Sequence, residues 1–239
     1  MRRQPKTVSV IIPVYNERRT IARILAKVVA ADTLGLIKEI IVVDDGSTDG
    51  TTEILKIARR RYARLGSNFR LLSKPTNEGK GASLRRGFSL ARGEIILVQD
   101  ADLEYDPIDY PKLLAPITKQ GIPVVYGSRM LNHGKMHHGG IFFFAGGQII
   151  NWLTNLLYGL ALTDEATGYK VFHAEVLDQI DLRCKRFEFC PELTAKLALA
   201  HIPIREVAVS YRGRTPEQGK KINWRDGVEA IWTLVRYRM

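Results

Sequence analysis

Cys184 and Cys190 are the only two cysteines in this chain of 239 residues. So few thiols exclude a disulfide framework and fit a reducing compartment. The usual glycine patterns for nucleotides are missing too. The first strand–helix turn carries Pro13-Val-Tyr-Asn-Glu17 where a dinucleotide fold would place Gly-x-Gly-x-x-Gly, and no Gly-x-x-x-x-Gly-Lys-[Ser/Thr] occurs. Both absences argue against an NAD, FAD or P-loop enzyme. The opening Met-Arg-Arg-Gln-Pro-Lys-Thr7 lacks the apolar core of a signal peptide. There is no internal repeat and no low-complexity linker. Residues 141–162 lack any charge and are long enough to span a bilayer. That stretch nevertheless carries Gly146, Gly147 and Thr154, and Gln148, Asn151, Asn155 and Tyr158 recur at helical spacing. A lone spanning helix would leave this polar stripe in lipid. The expectation is a helix packed on the domain or lying at an interface, lining a lipid path or simply part of the core.

Hydrophobic residues make up 45% of the chain, enough for one large core. The formal net charge of +11 favours polyanionic partners: nucleic acid, anionic lipid or phosphorylated small molecules. Strands are expected over 8–14, 39–43, 69–72, 95–98, 122–126 and 202–209, and helices over 18–31, 51–65, 82–91 and 224–238. A further helix opens within Phe187-Glu-Phe-Cys-Pro-Glu192, with Pro191 suited to its first turn. Strands alternating with helices mean βαβ units: an α/β, Rossmann-like, doubly wound and mostly parallel sheet with helices on both faces.

The run Gly93-Glu-Ile-Ile-Leu-Val-Gln-Asp-Ala-Asp-Leu-Glu104 ends a strand in acidic residues. Asp100 and Asp102, two apart in extended chain, would face the same way at a strand tip, where α/β sheets place their ligands. Hard oxygen donors at that spacing suit Mg2+ or Mn2+. A solvated acidic turn after a strand would read the same way. His133, His137 and His138 fit a substrate loop better than a zinc site, since no cysteine or acidic partner stands nearby. Cys190 reads as a packed thiol.

Three stretches carry a family resemblance: Val8-Ser-Val-Ile-Ile-Pro-Val-Tyr-Asn-Glu17, Ile41-Val-Val-Asp-Asp-Gly-Ser-Thr-Asp49 and Gln99-Asp-Ala-Asp-Leu-Glu104. It continues through Tyr126-Gly-Ser-Arg129, Thr163-Asp-Glu-Ala-Thr-Gly-Tyr-Lys170 and Gly213-Arg-Thr-Pro-Glu-Gln-Gly-Lys-Lys-Ile222. Together they resemble glycosyltransferase family 2, in its dolichyl- or polyprenyl-phosphate mannosyltransferase branch, over nearly the whole chain. The resemblance implies a GT-A fold in a single domain, with a nucleotide-sugar half at 1–129 and an acceptor half at 130–239. It implies inversion at the sugar, Mg2+ or Mn2+ as cofactor, a nucleotide-sugar donor (GDP-mannose first, UDP-glucose next) and a lipid phosphate acceptor. The expected place is the cytoplasm, peripherally at the cytoplasmic face of a membrane, with no nucleic-acid partner.

Residue by residue, the resemblance sets Pro13, Tyr15, Glu17, Val43 and Asp45 at the nucleotide pocket, with Ala101 beside it. Asp100 and Asp102 match the metal and diphosphate site, and Glu104 stands next to the metal. Arg129 matches an arginine near the acceptor phosphate or donor sugar. Arg214 and Lys220 match a basic pair closing over the donor diphosphate. Asp164 falls in the active site, and it or Glu192 would be the base if the acceptor were a sugar hydroxyl. Asp102, Arg129 and Asp164 are thus the catalytic candidates. A nucleotidyltransferase also pairs such a fold with metal carboxylates, but it carries a basic, glycine-rich loop after its first strand, which Pro13 to Glu17 lacks. A nucleic-acid module would need basic residues interleaved with aromatics along one face. The terminal helix ends in Val-Arg-Tyr-Arg-Met239, a basic aromatic end suited to an anionic membrane surface.

Overall fold

Strand β1 (Thr7–Val14) is a β-branched run buried along almost its whole length. Its side chains alternate: Val8, Val10, Ile12 and Val14 enter one core, while Ile11 enters another on the opposite face. A strand buried on both sides reads as a continuous apolar run, which is why it was visible in the sequence. The computed structural model describes residues 5–131, 141–214, 219 and 221–239. Along them run α1 (Ile21–Ala30), β2 (Ile37–Asp44), α2 (Thr51–Arg64), β3 (Asn68–Ser73), α3 (Lys80–Leu90) and β4 (Ile95–Val98). Then come α4 (Tyr110–Gln120), β5 (Val124–Ser128), α5 (Ile141–Tyr158), β6 (Lys170–His173), α6 (Phe189–Leu199), β7 (Ile204–Ala208) and α7 (Trp224–Arg238).

One sheet holds all these strands in the order β3-β2-β1-β4-β6-β5-β7. β1 pairs in parallel with β2 and β4, β2 with β3, and β5 with β7; β6 runs antiparallel between β4 and β5. Helices α1, α2 and α4 cover one face through residues such as Ile24, Leu55 and Leu113. Helices α3 and α6 cover the other through Leu84, Phe88, Phe189 and Leu193. The expected doubly wound, mostly parallel sheet is present.

Two elements were not expected. Helix α4 carries Pro111 in its first turn and Pro116 inside it, and an interior proline removes a backbone hydrogen bond. It forms because Tyr110, Leu113, Leu114 and Ile117 line its buried face. Strand β6 is four residues long and opens with a lysine. Lys170 is nevertheless fully buried: its ammonium donates to the Glu165 carbonyl at 2.9 Å and lies 3.4 Å from the centre of the Tyr126 ring. The expected strand at 122–126 is shifted, to Val124–Ser128.

Helix α5 packs against α6 and α7. No helix among the described residues is long and apolar enough to cross a membrane. Three residues of the polar stripe are bonded to the rest of the fold. Asn151 and Asn155 both donate to the Leu162 carbonyl at 2.8 Å, and Tyr158 donates to the Leu234 carbonyl at 2.6 Å. The outer face of α5 shows Ile149, Trp152 and Leu156, and that of α7 shows Trp224, Val228, Ile231 and Trp232.

Candidate active site

Because β6 is antiparallel to both of its neighbours, β5 runs parallel to β4, and the C-terminal ends of β1, β2, β4, β5 and β7 share one edge. Open α/β sheets gather ligands there. Pro13, buried, pairs in register with Val43. The Val43 and Ala101 side chains are packed in the core, so only their main chain is left to face a ligand. Asp45, also buried, grips the 74–79 segment: it accepts from the Lys74 ammonium at 2.6 Å, from Glu78 N at 3.1 Å and from Gly79 N at 2.8 Å. Gly79 has φ of +101°, and a Cβ there would collide with the Lys185 carbonyl. This clasp sets Lys80 at the start of α3.

The acidic run is a turn rather than an extended strand end. Asp102 accepts from Glu104 N at 3.0 Å, and Leu103 has φ of +65°. Gln99 sits fully buried beneath it. Its oxygen accepts from the Tyr110 and Tyr169 hydroxyls, each at 2.9 Å, and its nitrogen donates to the Asp100 carbonyl at 3.0 Å. A Cβ at Gly168 would strike the Asp100 carboxylate, so that glycine keeps its space open.

Each carboxylate has a cationic partner. Lys80 meets Asp100 at 2.6 Å. Arg214 meets Asp102 at 2.9 Å, Glu17 at 3.1 Å and Glu104 at 3.4 Å. Lys221 meets Glu17 at 2.8 Å, also donates to the Tyr15 carbonyl, and lies 5.7 Å from the centre of the Tyr15 ring. Burial, then the Asp100 and Glu104 charges, push the Asp102 carboxyl up to about 7 against the pull of Arg214. Burial and the neighbouring carboxylates therefore disfavour the ionised form of Asp102. Among the described residues no three ligand side chains form a ready-made metal cage. Two hard carboxylates at one turn, once released by Lys80 and Arg214, do fit a Mg2+ or Mn2+ ion that keeps waters and shares substrate oxygens. Asp100 and Asp102 are the residues that could hold it. Glu104 has both oxygens engaged, one by Arg214 and the other by the Tyr211 hydroxyl at 2.9 Å.

Arg129 follows β5 and is locked to Asp164: its Nε donates at 2.7 Å, its Nη2 at 2.6 Å and its backbone N at 2.9 Å. Bidentate pairing of this kind fixes the guanidinium plane. Glu206 on β7 holds the other side, accepting from Thr163 N at 2.7 Å and Asp164 N at 2.9 Å. Glu192 is buried elsewhere, bonded to Arg183 N, Cys184 N, Lys196 and Tyr237. Burial works against its charge, but these donors outweigh it and hold the carboxyl below its usual range. Cys190 donates weakly to the Thr167 carbonyl, and burial raises its thiol. Lys220, His133, His137 and His138 lie outside the described residues.

Lys80, Gln99, Glu206 and Tyr211 went unnoticed in the sequence reading. Lys80 lies in the glycine-rich run Asn77-Glu-Gly-Lys-Gly81, and Gln99 opens the acidic motif without showing its own role. The side-chain partners of Glu206 and Tyr211 are distant in sequence.

This mostly parallel sheet, with acidic and basic groups opposed at one edge, has the GT-A fold of glycosyltransferases. It is shared with glucosyl-3-phosphoglycerate synthase from Mycobacterium tuberculosis, solved with Mn2+, UDP and glucosyl-3-phosphoglycerate, at a TM-score of 0.70 and 22% identity over 97% of this chain and 80% of that one. The chain belongs to glycosyl transferase family 2, whose family model matches residues 9–180. Among its relatives, the dodecaprenyl-phosphate galacturonate synthase of Rhizobium johnstonii is 29% identical over 88% of this chain and 60% of that protein. The undecaprenyl-phosphate 4-deoxy-4-formamido-L-arabinose transferase of Aeromonas hydrophila is 30% identical over 90% of this chain and 63% of that protein. The chain thus spans about 60% of the length of these two curated relatives.

Proposed function

We propose that this protein transfers a sugar, with inversion, from a nucleotide sugar to the phosphate of a polyprenyl or dolichyl lipid, using Mg2+ or Mn2+. The observation that carries this reading is the Arg129–Asp164 pair, with Nη2 to Oδ1 at 2.6 Å. Of the two carboxylates expected as a base for a hydroxyl acceptor, Asp164 is bonded to an arginine and Glu192 to four donors. A lipid phosphate is already ionised near neutral pH and needs an orienting cation rather than a base. Arg129 supplies that cation, and Asp164 fixes its direction. The names of the two relatives, both transferases acting on polyprenyl phosphates, agree with this acceptor.

On the donor side Pro13, Tyr15, Glu17 and Asp45 border the nucleotide, and Asp100 and Asp102 hold the metal. When bound, the metal neutralises charge developing on the leaving diphosphate. Arg214 and Lys80 turn from their carboxylates toward the same oxygens, and Lys220 joins them. Two unit charges 4 Å apart interact by about 4 kcal/mol at an effective dielectric of 20, enough to matter for departure of the leaving group. GDP-mannose is the first donor to test and UDP-glucose the second, followed by donors of the sugars that the relatives' names carry. The exposed tryptophans of α5 and α7, with Arg225, Arg236 and Arg238, form the face set against an anionic membrane.

The test offers purified protein Mn2+ or Mg2+ and labelled nucleotide sugars, with and without a polyprenyl phosphate. Label entering the lipid phase from one donor supports the reading. Nucleotide release with no lipid product overturns the acceptor and moves transfer to a saccharide hydroxyl.

A further inference from the structure

Between the donor and acceptor sides stands a residue that neither motif contains. Tyr211 follows β7, and its position is over-determined. Its backbone makes an antiparallel bridge with Tyr105, and the two rings lie 5.1 Å apart at 57°. The residue before it is tied by Ser210 N to Asp109 at 2.6 Å, and the residue after it by Arg212 N to the Glu104 carbonyl at 2.8 Å. Held this way, Tyr211 uses its two chemical ends on two different partners. Its hydroxyl donates to Glu104 Oε2 at 2.9 Å. Its ring receives the Arg129 guanidinium, 5.0 Å from the ring centre. The other oxygen of Glu104 accepts from Arg214 N at 2.9 Å, so the carboxylate fastens the segment that delivers Arg214 to Asp102. Asp164 grips Arg129 along its edge while the Tyr211 ring lies against it. Phenylalanine would keep the second contact and lose the first.

We propose that Tyr211 is a positioning residue of the transfer site, setting Arg214 on the donor side through Glu104 and Arg129 on the acceptor side through its ring. This rests on the roles proposed above for the two arginines. Two variants separate the two ends. The full chain carrying Tyr211→Phe or Tyr211→Leu is titrated with UDP and GDP in the presence of Mn2+, and KM and kcat are measured with farnesyl phosphate as a soluble acceptor. Thermal unfolding serves as the control.

Tyr211→Phe is expected to weaken nucleoside diphosphate binding by roughly five- to tenfold, the scale of one hydrogen bond to a charged group, with acceptor KM within about twofold of wild type. Tyr211→Leu is expected to show the same donor loss and, in addition, an acceptor KM raised by roughly fivefold. Wild-type nucleotide binding in Tyr211→Phe overturns the proposal, and so does an equal acceptor KM in the two variants. If Tyr211→Leu does not fold, the nucleotide titration of Tyr211→Phe decides alone. If wild-type protein binds nucleoside diphosphate but transfers nothing to farnesyl phosphate, the acceptor assignment has failed, while the Tyr211→Phe titration still tests the donor arm.

Discussion

Replacing Asp102 by Asn should make the metal-free protein more stable above neutral pH, even as it removes a proposed metal ligand. The Asp102 carboxyl is raised from 3.8 to about 7 by burial and by the Asp100 and Glu104 charges. The shift is roughly three units, and at 1.36 kcal/mol each the folded state bears a cost of about 4 kcal/mol for keeping this group ionised. A raised carboxyl favours the folded state below its unfolded value near 3.8, and that advantage is lost as pH rises through about 7. Asn at 102 keeps the shape and removes the charge. In EDTA at pH 8 the variant should therefore gain up to about 4 kcal/mol, with about a quarter lost to the weaker bond with Arg214 at 2.9 Å. For a chain of this size roughly 2–4 °C of Tm accompanies each kcal/mol, so a rise of about 6–12 °C is expected. At pH 5 the ionisation cost falls below about 2 kcal/mol and the gain should shrink with it. Differential scanning calorimetry at the two pH values measures this. A variant less stable than wild type at pH 8, or a gain independent of pH, refutes the reasoning. Metal-dependent turnover should vanish in the same variant.

Other outcomes follow from the same geometry. Mn2+ affinity should rise with pH up to about 7, and binding at pH 6 should release close to one proton from Asp102; calorimetry in buffers of different ionisation enthalpy reads this, and a flat profile contradicts it. Asp164→Asn leaves Arg129 without its anionic partner, and removing one member of a buried pair costs roughly 3–5 kcal/mol. Denaturant unfolding should show that loss, with a raised acceptor KM in whatever protein remains folded. Trp152→Ser combined with Trp232→Ser removes two rings that are 63% and 58% exposed, so flotation on anionic vesicles should weaken by roughly tenfold or more with little change in Tm.

The elements legible in the sequence were those whose side chains repeat a simple period. β1, β2 and β4 are runs of Val and Ile buried on both faces, and α1 shows Ile21, Ile24, Leu25 and Val28 on one side. α4 was hidden by Pro116, and β6 by a lysine whose ammonium meets a carbonyl and a ring that only the fold brings to it. The site divides in the same way. Asp100, Asp102, Arg129, Asp164 and Arg214 are named by motifs, and the fold brings them to one edge. Tyr211 and Glu206 are ordinary residues made significant by their neighbours, since the Glu104–Tyr211 bond spans 107 positions and the Glu206–Thr163 bond spans 43. No local pattern encodes contacts of that reach. Glu104, expected next to the metal, also has both its oxygens bonded to the segment carrying Arg214, a contact no local pattern shows.

The place of β6 in the sheet bears on how this molecule is made. Strand β5 has only β6 and β7 as neighbours, and both are synthesised after it. A nascent chain that has reached Arg129 already carries every carboxylate of the acidic turn, yet Val124–Ser128 has nothing to bond with until residues 170–173 and 204–208 emerge. Arg129 hangs from that waiting strand. Cutting the gene after the donor motifs would therefore release a fragment with an open sheet edge rather than a transplantable sugar-binding module.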